Sequence, residues 1–251
     1  MATTTMSVQT TATHPLLIIE RILRDREGVW GQIAGEHRLN VLIGQMLAST
    51  VVSLGLYGGV MGASKNVLQA VSSAVKLPML FLLTLAICLP TLYLFNLVFG
   101  SRLTVRQSIA MVMAAITVTS VLTLAFAPIS IFFLISAPDY EFFKLLNVVI
   151  LTLSGIVGLN FLINGMRRIN ALSTPAPTVL AGEQVSADSN EQPVNMTLLY
   201  IWIILYGFVG TQLGWTLRPF FGDPNYNFAL FRQIEGNFYV NIIQSLLGLF
   251  R

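Results

Sequence analysis

Five stretches of this chain carry no Asp, Glu, Lys or Arg: residues 39–64, 77–101, 107–138, 145–166 and 192–217. Each is 22 to 32 residues long, and a helix needs about 20 apolar residues to cross a hydrocarbon core of about 30 Å. Composition agrees. Of 251 residues, 55% are hydrophobic and 10% charged, with a mean hydropathy of +0.74, whereas soluble domains carry about 25% charged residues. A soluble enzyme is excluded. The expected fold is an all-α membrane protein, a bundle of about five transmembrane helices with amphipathic interfacial helices at both ends.

The net charge of +3 and pI near 9.2 do not indicate nucleic acid, because the basic residues flank the apolar stretches. There they orient the chain and meet anionic headgroups. With five spans, the N-terminal segment, the 100–106 loop and the connector after the fourth span share a side and hold eight Lys and Arg, against six opposite. The expectation is a cytoplasmic N-terminus. The single cysteine, Cys88, lies inside the second apolar stretch, so no internal disulfide forms. Residues 1–15 read as a Thr-rich disordered lead without the apolar core of a signal peptide.

Residues 16–38 read as an amphipathic interfacial helix. Leu16, Ile18, Ile19, Ile22, Leu23, Val29, Trp30 and Ile33 share one half of a helical wheel, and Glu20, Arg21, Arg24, Asp25 and Glu27 the other. The membrane surface is the favoured location for its apolar half, with a partner's apolar groove as the alternative; Arg26, within that half, would snorkel to phosphates. Residues 39–170 form a four-span bundle on this reading. Span one is Leu39–Gly62, and 63–76 a short surface helix carrying Val67, Leu68, Val71 and Val75 on one side. Span two covers 77–99 with a kink at Pro90, and span three 107–127 with a break at Pro128. Span four covers 143–165 and stops at Arg167 and Arg168. Residues 171–195, rich in Pro, Ala, Ser and Thr, make a flexible linker. A fifth span follows over 196–217. The tail, 218–251, is interfacial or half-inserted, because its uncharged run is short of a full crossing.

The inventory of reactive groups is poor. Both histidines, His14 and His37, lie outside the spans, no span contains a carboxylate, and no metal-ligand spacing or phosphate loop is present. No catalytic residue, cofactor or metal is therefore assigned. Three constellations stand out. Gly55, Gly58, Gly59 and Gly62, in two overlapping four-residue repeats, with Gly210 and Gly214 in span five, allow close helix approach; Gly59→Leu is expected to disrupt that packing. Trp215, Arg218, Asp223, Arg232, Glu235 and Tyr239 form a tail constellation that staples the tail to the interface and offers a contact for a partner or headgroup. Asn160 and Asn164, one turn apart, mark a polar face of span four: hydrogen-bonding residues or a polar path.

Two stretches carry a resemblance: Leu56–Gly62 leading into Lys76-Leu77-Pro78 and 90–96, and 215–222 with 235–239. Together they resemble a group of bacterial integral membrane proteins of cyanobacterial type, similar in span layout to the Yip1-like membrane proteins. The resemblance covers most of the spans but neither the lead nor the linker; it implies a bacterial inner or thylakoid membrane and brings no activity or site residue with it. The function expected is a non-catalytic scaffold, assembly factor or subunit of a membrane complex. Its partners would be the lipid bilayer and other membrane proteins or a second copy. The alternative is a permease or channel for a neutral or lipidic solute.

Overall fold

The computed structural model describes residues 15–36, 38–64, 66–98, 104–136, 139–173, 196–221, 230–231 and 238–249. These are almost entirely helical: α1 (Pro15–Arg24), α2 (Arg26–Ala34), α3 (Leu39–Gly62), α4 (Val67–Val98), α5 (Val105–Ala125), α6 (Ala127–Ser136), α7 (Tyr140–Ser173), α8 (Met196–Thr216) and α9 (Phe238–Leu249). Five spans are long and apolar enough to cross a membrane, α5 and α6 together making the third. The protein is an all-α, multi-pass membrane protein.

α5 runs through the middle. A capping box starts it, the Thr104 hydroxyl accepting from the Gln107 amide and the Gln107 carboxamide oxygen accepting from the Thr104 amide. It touches α1, α2, α3, α4, α6 and α7, and its buried Thr117, Thr119, Ser120 and Thr123 donate to carbonyls of its own preceding turn. That removes the penalty of hydroxyls at membrane depth. The Phe126 amide closes α5 on Leu122 and Thr123, and Pro128 falls in the first turn of α6, where a missing N–H costs nothing. The expected break is present.

Three boundaries differ from expectation. Residues 67–76 are not a separate surface helix: α4 is continuous from Val67 to Val98. Its Val67, Leu68, Val71 and Val75 are exposed, while Gln69, Ser73 and Lys76 on the other face are buried. The polarity is that of a membrane helix, with the apolar side out. α7 does not stop at Arg167 and Arg168 but runs to Ser173, because arginines at the interface end the apolar run without breaking hydrogen bonds. Residues 171–173 are thus helix and not linker, and Pro15 begins α1 and does not belong to the lead; 174–195 and 1–14 lie outside the described residues.

The third correction concerns the N-terminal segment. It is two helices, split at Asp25, whose carboxylate accepts from the Gly28 amide at 3.0 Å and caps α2. Gly28 is needed there, since a Cβ would lie 2.1 Å from that carboxylate. Ile18, Ile22, Val29, Trp30 and Ile33 are all buried in the main core with α3, α5 and α7. These five side chains thus pack on the chain's own bundle, where an interfacial helix would have turned them to lipid. The bend at Asp25 lets the segment follow the bundle's surface.

Contacts gather the segments of each side. On the N-terminal side, Thr104 donates to Glu36 at 2.6 Å and Arg168 pairs with Glu27 at 3.0 Å. On the other, the buried Lys144 pairs with Glu141 at 2.7 Å and donates to Asn241 of α9 at 3.3 Å. The twelve residues of α9 rise about 18 Å, too little to cross.

Candidate functional site

The α3–α4 contact brings backbone against backbone, and glycine makes it. A Cβ on Gly58 would lie 2.4 Å from the Ser73 carbonyl oxygen, and one on Gly62 2.4 Å from that of Gln69. Gly55 would meet only the Ala74 carbonyl at 3.5 Å and Gly59 only the Ala74 methyl at 4.0 Å. Of the four, Gly58 and Gly62 lie closest against backbone, and Gly59 has room for a methyl group. In α8, Gly210 and Gly214 lie at ordinary distances from Thr84 and Leu80 of α4. That contact is held instead by Trp202, whose indole N–H donates to the Cys88 carbonyl at 2.9 Å.

The tail constellation is assembled only in part. The Arg218 guanidinium sits 3.8 Å above the Trp215 ring, Trp215 meets Phe238 edge-on at 6.5 Å, and Tyr239 shares a hydrogen bond with Thr211 at 3.1 Å. These contacts join the end of α8 to the start of α9. Asp223, Arg232 and Glu235 lie outside the described residues. The staple comes from elsewhere. Gln69 and Ser73 of α4 donate to the carbonyls of Pro219 and Phe220, at 3.0 and 2.5 Å. Lys76 donates to the carbonyls of Pro219 and Leu230, and its ammonium lies 4.8 Å from the Phe231 ring centre. The signal was present as Gln69, Ser73 and Lys76 at helical spacing, in a segment that otherwise looked like a surface helix.

Asn160 and Asn164 lie together in a groove of about 740 Å³ between the N-terminal helices, α5 and α7. α1 and α2 contribute Ile19, Ile22, Arg26, Glu27 and Trp30; α5 contributes Thr117, Val118, Val121, Leu122 and Ala125. From α7 come Val157, Asn160, Phe161, Asn164, Arg167 and Arg168. The N-terminal wall depends on two glycines that the sequence reading passed over. Gly165 leaves room for the Trp30 indole, which a Cβ would approach to 2.2 Å, and Trp30 stacks on Phe161 at 4.8 Å. Gly158 meets Thr119 and Ala115 equally closely and brings α7 against α5. Their seven-residue spacing, two helical turns, was the available signal.

The groove has a charged end and an apolar end. Arg168 is paired with Glu27, Arg167 donates to the Tyr200 hydroxyl at 3.3 Å, and Arg26 lies 6.0 Å from the Phe161 ring centre. Asn160 and Asn164 are exposed, and neither side chain hydrogen-bonds another described residue. Beyond them the walls are Val118, Val121, Leu122 and Val157. An exposed carboxamide one or two turns below an arginine rim can hold a polar ligand.

No protein-family model, curated protein or solved structure matches the chain. What the site does is read from its own residues.

Proposed function

We propose that the protein is a non-catalytic membrane subunit or scaffold that assembles with other membrane proteins or with a second copy of itself, its N-terminus cytoplasmic. The observation that carries this reading is the position of α8. About a tenth of its span is buried, against roughly a third in the other four. It is fixed to the bundle through Trp202 and Tyr206 on α4, with Tyr200 bonded to Arg167 of α7 and Thr211 to Tyr239 of α9. Another face presents Ile201, Ile204 and Phe208, and nothing lies within 4 Å of where a Cβ on Gly207 would be. A small residue among large ones lets another helix approach. The orientation rests on the greater number of basic residues on the N-terminal side.

A Phe208→Cys variant tests it in the native membrane with a short bis-maleimide. A crosslinked species of one discrete mass, absent when the cysteine is placed at Val149 on exposed α7, is the expected result. Equal crosslinking from both positions, together with a monomer in mild detergent, overturns the reading. The second reading, passage of a neutral or lipidic solute, is favoured by the shared groove of Asn160 and Asn164. It requires loss of flux in liposomes on Asn160→Leu.

A further inference from the structure

The groove between α1, α2, α5 and α7 matches the shape and polarity of one lipid molecule in one leaflet. Along α7, Val157 and Arg168 are eleven residues apart, about 16 Å of helix rise, or roughly half of a 30 Å hydrocarbon core. The charged end lies where α7 emerges from its apolar run on the N-terminal side, and the apolar end lies at membrane depth. An occupant spanning both needs a polar head and an apolar tail of leaflet length.

The rim selects the sign of the head. Arg26, Arg167 and Arg168 stand against Glu27 alone, leaving two positive charges in excess. Of these, Arg168 is taken by Glu27, whereas Arg167 has the neutral Tyr200 hydroxyl and Arg26 the Phe161 ring. Arginine forks suit phosphate oxygens, and basic residues at the surface of an anionic leaflet attract its headgroups. One and two turns deeper, Asn164 and Asn160 place amide donors where a lipid's ester carbonyls follow its phosphate. Exposed carboxamides in hydrocarbon are costly without a partner, and such an occupant supplies one.

We infer that this groove is a binding site for an anionic phospholipid, with its phosphate between Arg26 and Arg167, its ester carbonyls on Asn164 and Asn160, and an acyl chain along Val118, Val121 and Val157. The inference is independent of the assembly reading, since the groove and the open face of α8 are formed by different residues.

The test is native mass spectrometry of the full-length protein in mild detergent with phosphatidylglycerol or phosphatidylcholine added. One phosphatidylglycerol per chain should be retained at collision energies that strip phosphatidylcholine. Arg26→Gln with Arg167→Gln should reduce its retention at least tenfold, and Arg24→Gln, whose guanidinium pairs with Glu20 outside the groove, should leave it unchanged. Val121→Trp fills the apolar end with every charge intact, and should also displace the lipid. Thermal unfolding of each variant separates lost binding from lost fold. Equal retention of the two lipids overturns the proposal, as does insensitivity of a folded double-arginine or Val121→Trp variant. Displacement by millimolar inorganic phosphate overturns it too, by showing a free anion site without the acyl half.

Discussion

The Tyr57 hydroxyl donates to the Asn147 carboxamide oxygen at 2.6 Å, between two side chains that are wholly buried and ninety residues apart. Ser130 donates to the same oxygen at 2.9 Å, and the Asn147 amide returns a bond to the Phe143 carbonyl at 2.7 Å. One asparagine thereby ties α3, α6 and α7 together. Every polar atom of its side chain has a partner.

Tyr57→Phe should lower stability by about 1 kcal/mol, in the usual range for a hydrogen bond between membrane helices. Ser130→Ala should cost a similar amount. Because both donors share one acceptor, each single variant leaves it partnered and only the double variant leaves it bare, so the double variant should exceed the sum. Reversible unfolding in mixed micelles measures all three. Strict additivity would mean that the two hydroxyls act independently.

Gly58→Ala and Gly62→Ala should each push α4 away from α3 and destabilise the bundle by about 1–3 kcal/mol, as overpacked contacts do. Gly59→Ala, whose new methyl meets only Ala74 at 4.0 Å, should change stability by less than about 0.5 kcal/mol. Parallel unfolding curves of the three variants check this, and equal effects would refute the assignment of the contact face.

Lys76→Met keeps the length and loses the donor. The Leu230 carbonyl then has no ammonium and the Phe231 ring no cation. Bonds from charged donors contribute about 1.5–3 kcal/mol, so exchange of the Phe220 and Phe221 amides with deuterium should speed about tenfold or more. α5 amides should be unaffected. Unchanged exchange at 220 and 221 would show that Gln69 and Ser73 hold the tail alone.

Gln107 donates to the carbonyls of Ile33 and Ala34 at 3.2 and 3.1 Å, closing the end of α2. Gln107→Glu retains the acceptor for the Thr104 amide but loses both donors. A loss of about 1–2 kcal/mol is expected, with greater quenching of Trp30 in a chain lacking the other two tryptophans. Gln107→Ala, which loses the capping box as well, should cost more.

Much of the architecture follows from runs of sequence alone. Hydrocarbon allows a chain few structures, and five uncharged stretches of sufficient length specify five crossings wherever they lie in the fold. Pro128 marked a real interruption for the same local reason, and the short uncharged tail matched a helix too short to cross. Asn160 and Asn164 could be placed on one face because i and i+4 positions always share one.

Which element each face met was decided only in the tertiary structure. Ile22 and Trp30 read equally well against lipid, a partner or the bundle, because a helical wheel states that a face is apolar without naming what covers it. Gly59 looked equivalent to Gly58 until the crossing of α3 and α4 put backbone beside one and a methyl beside the other. Gln69, Ser73 and Lys76 looked like the outside of a surface helix and proved to be the inside of a span, gripping carbonyls about 150 residues away. Hydropathy and helical period are properties of a segment. Close approach, the pairing of buried polar groups and the shape of a groove are properties of two or more segments together, and arise only when the chain brings them into contact.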